Sequence, residues 1–308
     1  MEEAIGLCSL EGADLFDLFG AANRQRERYF GRRVNLCAII NAKSGKCAED
    51  CSFCAQSSHH KTRIESYPFV GSDKIAEAAL AARKMGATEF SIVTSGYGIE
   101  DEAEVACVLE GIGAIRRDAG LAACASPGIV GESVLKRFKE AGLTYYHHNL
   151  ETARSFFPQV CTTHDYDEDV EAVRHAKFLG IKVCCGGIFG LGESWKQRIE
   201  LFLSLRELDV DSVPINFLNP IPGTPLEKRR DLNPLDCLKI IALARLLLPD
   251  KKITICGGRE VNLRDLQCMM FFAGANATMI GNYLTTRGRP AEDDLKMIRD
   301  AGLETVGF

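Results

Sequence analysis

The sequence lacks the features that would place the protein in a membrane or on a nucleic acid. No apolar run approaches the ~20 residues that a membrane-spanning helix needs, and no long run of lysine and arginine is present. The net charge of −5 gives no general attraction to a phosphate backbone. Residues 1–19 are acidic and amphipathic, without the basic flank and apolar centre of a secretory signal. We therefore expect a cytoplasmic protein that binds neither membrane nor nucleic acid.

Low-complexity segments, long linkers and short-period repeats are also missing, and the composition is that of a globular chain. From about residue 34, short apolar runs alternate with amphipathic segments typical of helices. The eight strand candidates are 34–40, 88–94, 121–126, 143–150, 181–187, 212–218, 252–258 and 277–281. Because strand-plus-helix units recur eight times without a switch in spacing, we predict an α/β fold of the (β/α)8 TIM-barrel type rather than an open doubly wound sheet. Residues 1–30 are expected to form an N-terminal helical extension, and residues 31–308 the barrel domain.

The chain contains 13 cysteines, an odd number that argues against a disulfide scaffold in a long cytosolic protein. Metal binding, redox chemistry and ordinary core packing remain as explanations. Isolated cysteines are most often small buried apolar residues. We interpret the following cysteines in that way: Cys8, Cys107, Cys161, Cys237 and Cys268.

Three further cysteines, Cys47, Cys51 and Cys54, are separated by three and two intervening residues in the stretch SGKCAEDCSFCAQSS. They follow the first predicted strand, and barrels of this type build their active sites at the carboxyl ends of the strands. A closed zinc site needs four ligands, and no fourth ligand follows at finger-like spacing, although His59 and His60 are near. An iron–sulfur cube fits better, since three thiolates leave one iron open for another molecule.

The Cys-x3-Cys-x2-Cys pattern in the first βα loop resembles the signature of the radical S-adenosylmethionine (SAM) enzymes. The resemblance implies a catalytic [4Fe–4S] cluster on the three cysteines, which binds SAM and cleaves it to methionine and a 5′-deoxyadenosyl radical. Phe53 matches an aromatic position that packs near the adenine, although ordinary loop packing would also explain it. The Gly-rich stretch after the fifth strand resembles the SAM adenine contact, with Gly187 in the turn and Ile188 against the ring.

The resemblance becomes specific to the biotin synthase family over residues 34–285, in the passages CAEDCSFCAQSS, YYHHNLET, IKVCCGGIFGLGE, SVPINFL, GGREVN and FFAGANATMIG. It implies conversion of dethiobiotin to biotin with SAM, and a second Fe–S cluster inside the barrel that supplies the sulfur. It also implies a homodimer and an electron donor such as flavodoxin or ferredoxin.

Family positions assign roles to polar residues near the end of the fourth and sixth strands. Asn149 and Glu151 match residues that hold the SAM ribose, and Asn216 matches a residue that bridges substrate and SAM. His147 stands where the family usually has asparagine, yet an imidazole can still donate to the ureido carbonyl of the substrate. The substrate residues implied are His147, Asn149 and Asn216. The alternative for His147 and His148 is a satisfied polar pair without a role in a site.

The auxiliary cluster has ligands that depart from the usual family pattern, which is three cysteines and one arginine on a [2Fe–2S] cluster. Cys124 and Cys184 match two of those cysteines, and Arg259 matches the arginine. Ser91 stands where the remaining cysteine is usual. Because iron–sulfide clusters prefer thiolate to a serine oxygen, we expect Ser91 to be a hydrogen-bonding neighbour.

The chain has two cysteines, Cys37 and Cys256, at positions that are usually serine in the family. They can compensate for the missing cysteine at position 91. Side chains from alternate strands fill one layer of a barrel. The four cysteines that such a layer brings together are Cys37, Cys124, Cys184 and Cys256. We predict that they hold a four-iron cluster, with Arg259 hydrogen-bonding to it or serving as a weak ligand; the alternative is a two-iron cluster on three of them with Arg259 bound. Cys185 should point to the opposite face and pack outside.

Two other classes of function stay open from the sequence. Another radical SAM enzyme, such as a hydrogenase maturase or an amino-acid mutase, would share the triplet and the barrel. An Fe–S carrier or redox sensor would need the cysteines but neither the Gly-rich loop nor the Asn149 and Glu151 pair. His164 and Asp169 also depart from the family, which often has arginines in this loop.

Overall fold

The computed structural model describes residues 1–306 and shows parallel strands closed into a barrel. The longer strands, such as β1, β2, β7 and β8, are rich in apolar and β-branched residues, as the sequence pattern predicts. The strand bounds in the described residues are β1 Arg33–Lys43, β2 Glu89–Thr94, β3 Ala122–Ser126, β4 Tyr145–His147, β5 Lys182–Cys184, β6 Gly187–Phe189, β7 Ser212–Phe217, β8 Lys252–Ile255, β9 Ala277–Met279 and β10 Glu304–Thr305.

Eight strand positions complete the barrel, because β1 pairs with both β2 and β9 in parallel. The fifth position is divided between β5 and β6, which pair with β7 through Cys184 opposite Ser212 and Gly187 opposite Ile215. The short β10 pairs with the beginning of β1, outside this ring of eight. The predicted (β/α)8 barrel is therefore confirmed, and the alternative of an open doubly wound sheet is wrong.

Close backbone packing explains why the predicted strand 181–187 is interrupted. A side chain at Gly186 would place its Cβ 2.0 Å from the carbonyl oxygen of Pro214. A side chain at Gly187 would place its Cβ 2.4 Å from the carbonyl oxygen of Glu151. Only glycine permits neighbouring backbone to come this near, so the interruption depends on both residues.

Helices alternate with the strands and cover the outside of the barrel. No helix in residues 1–306 combines the length and apolar character needed to cross a bilayer. The helix bounds are α1 Glu2–Cys8, α2 Gly12–Phe30, α3 Ser72–Lys84, α4 Glu102–Arg117, α5 Glu132–Ala141, α6 Tyr166–Phe178, α7 Trp195–Glu207, α8 Pro234–Leu247, α9 Arg259–Leu263, α10 Met269–Phe272 and α11 Ala291–Asp300, with 3-10 turns at Phe157–Gln159 and Arg264–Leu266.

Local sequence signals set several of these helix ends. The Asn233 side chain accepts a hydrogen bond from the Asp236 backbone N–H at 2.9 Å, and Pro234 occupies the first position of α8. Gly142 ends α5 in the left-handed conformation, with φ of 96°. These caps explain where α8 begins and where α5 ends.

The predicted N-terminal extension is present as α1 and α2, which pack on the outside of the barrel against α7 and α8. The face of α2 turned towards the barrel is apolar and buried, and it includes Leu15, Leu18 and Phe19. The division of the chain into an extension and a barrel domain stays a prediction. Residues 307–308, at the end of that predicted domain, lie outside the described residues.

Candidate active site

A cavity of about 430 Å³ opens at the carboxyl ends of the strands, where the sequence predicts the active site. The three-cysteine loop, the polar residues after β4 and part of the barrel interior all contribute to its wall. The predicted site residues in this wall are Cys37, Cys47, Cys51, Phe53, Cys54, His147, Asn149, Glu151, Cys184, Asn216 and Cys256. Residues separated by more than 200 positions in the sequence therefore meet around one space.

The other predicted site residues lie behind this wall. Ser91 and Cys124 are fully buried on β2 and β3, and Arg259 is buried at the start of α9. Gly187 and Ile188 lie in β6. Ile188 packs, together with Phe53, against a small apolar cluster whose buried members are Ala153, Phe156, Val160, Leu191 and Leu218. The two residues predicted to contact the adenine thus belong to one apolar surface.

The loop after β1 folds back on itself and presents Cys47, Cys51 and Cys54, which we call the mouth cysteines. The Cys47 N–H donates to the Gln56 carbonyl at 3.1 Å, and the Cys54 N–H donates to the Cys51 carbonyl at 2.9 Å. All 13 cysteines of the chain are free thiols. Burial raises the pKa of the Cys54 thiol to about 11, so binding of a metal cluster must expel the thiol protons.

Acidic residues inside this loop hold it to the segment that follows β4. The Asp50 carboxylate accepts hydrogen bonds from the Thr162 N–H at 2.8 Å and from the Thr162 hydroxyl. The Glu49 carboxylate lies 2.6 Å from Nδ1 of His164. The Ser52 N–H also donates to the Val160 carbonyl at 2.8 Å. Two loops from different strands therefore form one hydrogen-bonded unit.

Cys161, expected to be an ordinary core cysteine, is buried but lies against the mouth cysteines. Its Sγ is 3.3 Å from Nδ1 of His164 and 3.9 Å from Oε2 of Glu49. A hydrogen bond from the Cys51 thiol, opposed by burial and aided by His164, lowers the pKa of Cys161 to about 4. Hydrogen bonds from His164 to Asp169 and to Cys161 raise the pKa of His164 to about 11. Sequence reasoning missed this contact between Cys161 and His164, because only the fold brings the two side chains beside Cys51.

Asn149 and Glu151, the predicted ribose residues, lie together after β4. Nδ2 of Asn149 is 3.4 Å from both carboxylate oxygens of Glu151, and Oδ1 of Asn149 accepts from the Gly186 N–H at 3.2 Å. Glu151 has a positive φ of 58°, which is strained for a residue with a side chain. Burial, followed by the negative charge of Asp169, raises the pKa of Glu151 to about 8. The positive charge of His164 opposes this rise in the pKa of Glu151, but burial outweighs it.

The two histidines at the end of β4 have different surroundings. Nε2 of His148 is 2.8 Å from the Asp169 carboxylate, so this ring is a satisfied polar group. Nδ1 of His147 is 3.2 Å from the Ser91 hydroxyl, whereas its buried Nε2 has no hydrogen-bond partner in the described part of the chain. Burial lowers the pKa of His147 to about 3, and the ring is therefore neutral. His147 reaches the cavity with one unused ring nitrogen.

The four cysteines predicted for the auxiliary cluster, which we call the interior cysteines, converge inside the barrel. Burial raises the pKa of all four thiols, namely those of Cys37, Cys124, Cys184 and Cys256. Repulsion by Cys124 and Cys256 raises the pKa of Cys37 further, and Cys184 does the same to Cys124 and Cys256. Cys185 lies on the opposite face of the chain and packs in the apolar layer outside the barrel, as predicted.

Arg259 has its hydrogen bonds directed to protein groups. Its guanidinium lies 2.5 Å from Asp294, 3.0 Å from Oε1 of Gln267 and 3.3 Å from the hydroxyl of Tyr283. Its charge still lowers the pKa of Cys256, although burial is the larger influence on that thiol and raises its pKa. Through these contacts Arg259 connects α9 to the loop around Tyr283.

A parallel barrel that carries a Cys-x3-Cys-x2-Cys loop at its mouth defines a radical SAM enzyme. The family model described as "Radical SAM superfamily" matches residues 42–205. The model described as "Biotin and Thiamin Synthesis associated domain" matches residues 214–304. The chain is 57% identical over 304 residues to the biotin synthase of Geotalea uraniireducens (strain Rf4), covering 99% of this chain and 92% of that relative. The chain belongs to the biotin synthase family.

A second relative supports this assignment, and two solved structures share the fold. The biotin synthase of Geobacter sulfurreducens (strain ATCC 51573 / DSM 12127 / PCA) is 57% identical over 302 residues, covering 98% of this chain and 92% of that relative. The crystal structure of a methylornithine synthase matches with a TM-score of 0.86 and 24% identity, over 99% of this chain and 94% of that one. An FeFe-hydrogenase maturase from Carboxydothermus hydrogenoformans matches with a TM-score of 0.84 and 18% identity, over 98% of this chain and 74% of that one. These two structures share the fold.

Proposed function

We infer that the chain converts dethiobiotin to biotin, with SAM cleaved at a cluster on the mouth cysteines and sulfur supplied by an auxiliary cluster on the interior cysteines. One observation carries this inference: the mouth cysteines and three of the interior cysteines, Cys37, Cys184 and Cys256, border the same cavity of about 430 Å³. A substrate in that cavity contacts the radical source on one side and the sulfur source on the other. Membership of the biotin synthase family supports the same reaction.

The mouth cysteines provide a suitable donor set for a cube with one open iron. Such a cluster, held by Cys47, Cys51 and Cys54, would bind SAM at its open iron and would supply the electron for cleavage of the sulfonium bond. The chain's own contribution is to orient SAM. Asn149 and Glu151 offer an amide and a carboxyl group to the ribose hydroxyls, and the apolar surface around Phe53 and Ile188 offers packing to the adenine.

The part of the cavity that would bind the substrate is lined by His147, Asn149 and Asn216. Asn216 is fixed by its Oδ1, which accepts from the Gly257 N–H at 3.0 Å. If the Ser91 hydroxyl donates to Nδ1 of His147, then Nε2 carries the ring proton. An N–H at this buried position has no acceptor among residues 1–306, and a ureido carbonyl would satisfy it. His147 is thus suited to the role that asparagine usually fills.

For the auxiliary cluster, we propose a four-iron type held by Cys37, Cys124, Cys184 and Cys256. All four thiols are buried in one region, and thiolate is the preferred ligand of such clusters. Ser91 is used by His147, and the guanidinium of Arg259 is held by other protein groups. This arrangement favours four thiolate ligands over three thiolates and an arginine. When bound, the cluster supplies the sulfur atom of the product.

A flavodoxin or ferredoxin as electron donor, a homodimeric assembly and a cytoplasmic location complete the proposal. These three points rest on the family resemblance. Reduced flavodoxin should therefore replace dithionite as the electron source in turnover.

The function is tested by anaerobic incubation of the reconstituted protein with dethiobiotin, SAM and reductant. We expect biotin to form, together with 5′-deoxyadenosine and methionine. Deoxyadenosine without biotin would contradict the substrate assignment and favour another small molecule. With Cys47 replaced by alanine to remove the SAM cluster, about four irons per chain should remain. About two irons would refute the four-iron cluster.

A pH dependence of SAM binding follows from the raised pKa of Glu151. Ribose hydroxyls donate to a carboxylate, so SAM should bind the deprotonated form of Glu151. Because that pKa is about 8, SAM affinity should fall about tenfold from pH 9 to pH 7. Spectral titration of the cluster with SAM at both pH values measures this change.

Two substitutions control this prediction. Glu151→Gln should bind SAM more weakly and with little dependence on pH, since it has no proton to lose. Glu132→Gln, which alters an exposed glutamate of α5, should keep the wild-type dependence. The same tenfold change in Glu151→Gln would exclude Glu151 as the group responsible.

A further inference from the structure

A buried ion pair lies inside the barrel beside the interior cysteines. Nζ of Lys252 is 2.5 Å and 2.7 Å from the two carboxylate oxygens of Glu89, and both side chains are about nine-tenths buried. The Lys252 ammonium also lies 4.2 Å from the centre of the Tyr145 ring. Glu89 comes from β2 and Lys252 from β8, two strands that are not neighbours, so their side chains meet across the interior.

Strand register places this pair at the level of the interior cysteines. Glu89 is opposite Cys37 in the pairing of β1 with β2. Tyr145 is opposite Cys124 in the pairing of β3 with β4. Lys252 is opposite Ser212, which is in turn opposite Cys184. Each member of the polar group is therefore one or two strands from a predicted ligand of the cluster.

The pair faces the same space as the interior cysteines. Glu89 lines the cavity together with Cys37, Cys184 and Cys256. Both carboxylate oxygens of Glu89 hold the ammonium of Lys252. Lys252 therefore provides a fixed positive charge beside the interior thiols.

Stability alone is a weak reason to keep such a pair inside a barrel. Removing two charges from water costs free energy that their attraction only partly returns, and apolar side chains would fill the space as well. An iron–sulfur cluster on four thiolates carries net negative charge, and reduction by one electron makes that charge more negative by one. A fixed cation favours the more negative state and therefore the reduced cluster.

We propose that Lys252, held in place by Glu89, is a positioning residue that sets the reduction potential of the auxiliary cluster. This inference rests on the auxiliary cluster of the proposed function. Lys252 raises the potential through its charge, and Glu89 moderates that effect while fixing the direction of the ammonium. No covalent bond to iron is required of either residue.

The test compares reduction potentials in full-length protein whose three mouth cysteines are replaced by alanine, so that only the auxiliary cluster contributes. Glu89→Gln leaves the cation without its counter-charge, and the potential should rise. Glu89→Gln combined with Lys252→Met removes both charges and leaves no unpaired buried ion. Relative to Glu89→Gln, the ratio of reduced to oxidised cluster at a fixed potential should fall at least ~10-fold, which corresponds to 59 mV for one electron.

Two further variants separate charge from folding. Lys252→Arg keeps the charge and should stay close to the parent potential. Lys251→Met alters the adjacent lysine, which pairs with Asp209 away from the interior cysteines, and should change nothing. Equal potentials in Glu89→Gln and the double variant, with the cluster intact, would overturn the role of Lys252. Absence of iron from the parent itself would instead refute the auxiliary cluster and hence the proposed function.

Discussion

Replacement of Cys47 with alanine is expected to abolish SAM cleavage, with 5′-deoxyadenosine formation reduced at least ~1,000-fold, or ~4 kcal/mol of barrier. The mouth offers three thiols to the cluster, and two thiolates no longer hold a cube with one open iron. Biotin formation should be lost with it. Chromatographic measurement of deoxyadenosine after anaerobic reconstitution checks the first loss, and iron analysis checks that the interior iron remains.

Cys107→Ala is the matched control for this prediction. Cys107 is a half-buried thiol on α4, outside the barrel, and its loss should leave both products within about twofold of wild type. Substantial deoxyadenosine formation by Cys47→Ala would show that the mouth cysteines are not the site of SAM cleavage, and the assignment of the cavity would then fail.

The second large effect is expected when an interior cysteine is replaced. Cys184→Ala should lower biotin formation at least ~100-fold, because the auxiliary cluster loses a thiolate ligand that no neighbouring group replaces. Deoxyadenosine formation should persist, since the mouth cysteines are untouched. Parallel assays of the two products, together with iron and sulfide analysis, measure this uncoupling.

Cys185→Ala provides a control one residue away in the sequence. Cys185 is also fully buried, but it packs in the apolar layer between the barrel and its helices. Its replacement should cost only ~1 kcal/mol of stability and leave the iron content unchanged. If both alanine variants lost the auxiliary iron equally, general disruption of the barrel would explain the result better than loss of a ligand.

Much of the fold could be predicted because its signals are local. Alternating apolar runs and helix caps, such as Asn233 before Pro234, act over a few residues and predict strands and helices directly. The mouth cysteines are equally local, since all three lie within eight positions. The position of their loop at the carboxyl end of β1 then follows from the barrel itself.

Other features of the fold and of the site could not be predicted from the sequence, because they depend on contacts between distant segments. Glu89 and Lys252 are 163 positions apart, and nothing in either neighbourhood indicates that they meet. Cys161 has the sequence surroundings of a core residue, yet the fold places it against Cys51. The interruption after β5 was also missed, because the crowding of Gly186 against Pro214 exists only once β7 is in place.

The hydrogen bonds that Glu49 and Asp50 accept from the segment after β4 have a consequence for how iron enters the protein. A receptor loop secured by protein contacts keeps its shape before any cluster arrives, so little backbone entropy is lost on loading. We therefore expect the cluster to bind to a loop that is already folded, rather than to induce the folding of that loop. Amide hydrogens of this loop should exchange slowly even in iron-free protein.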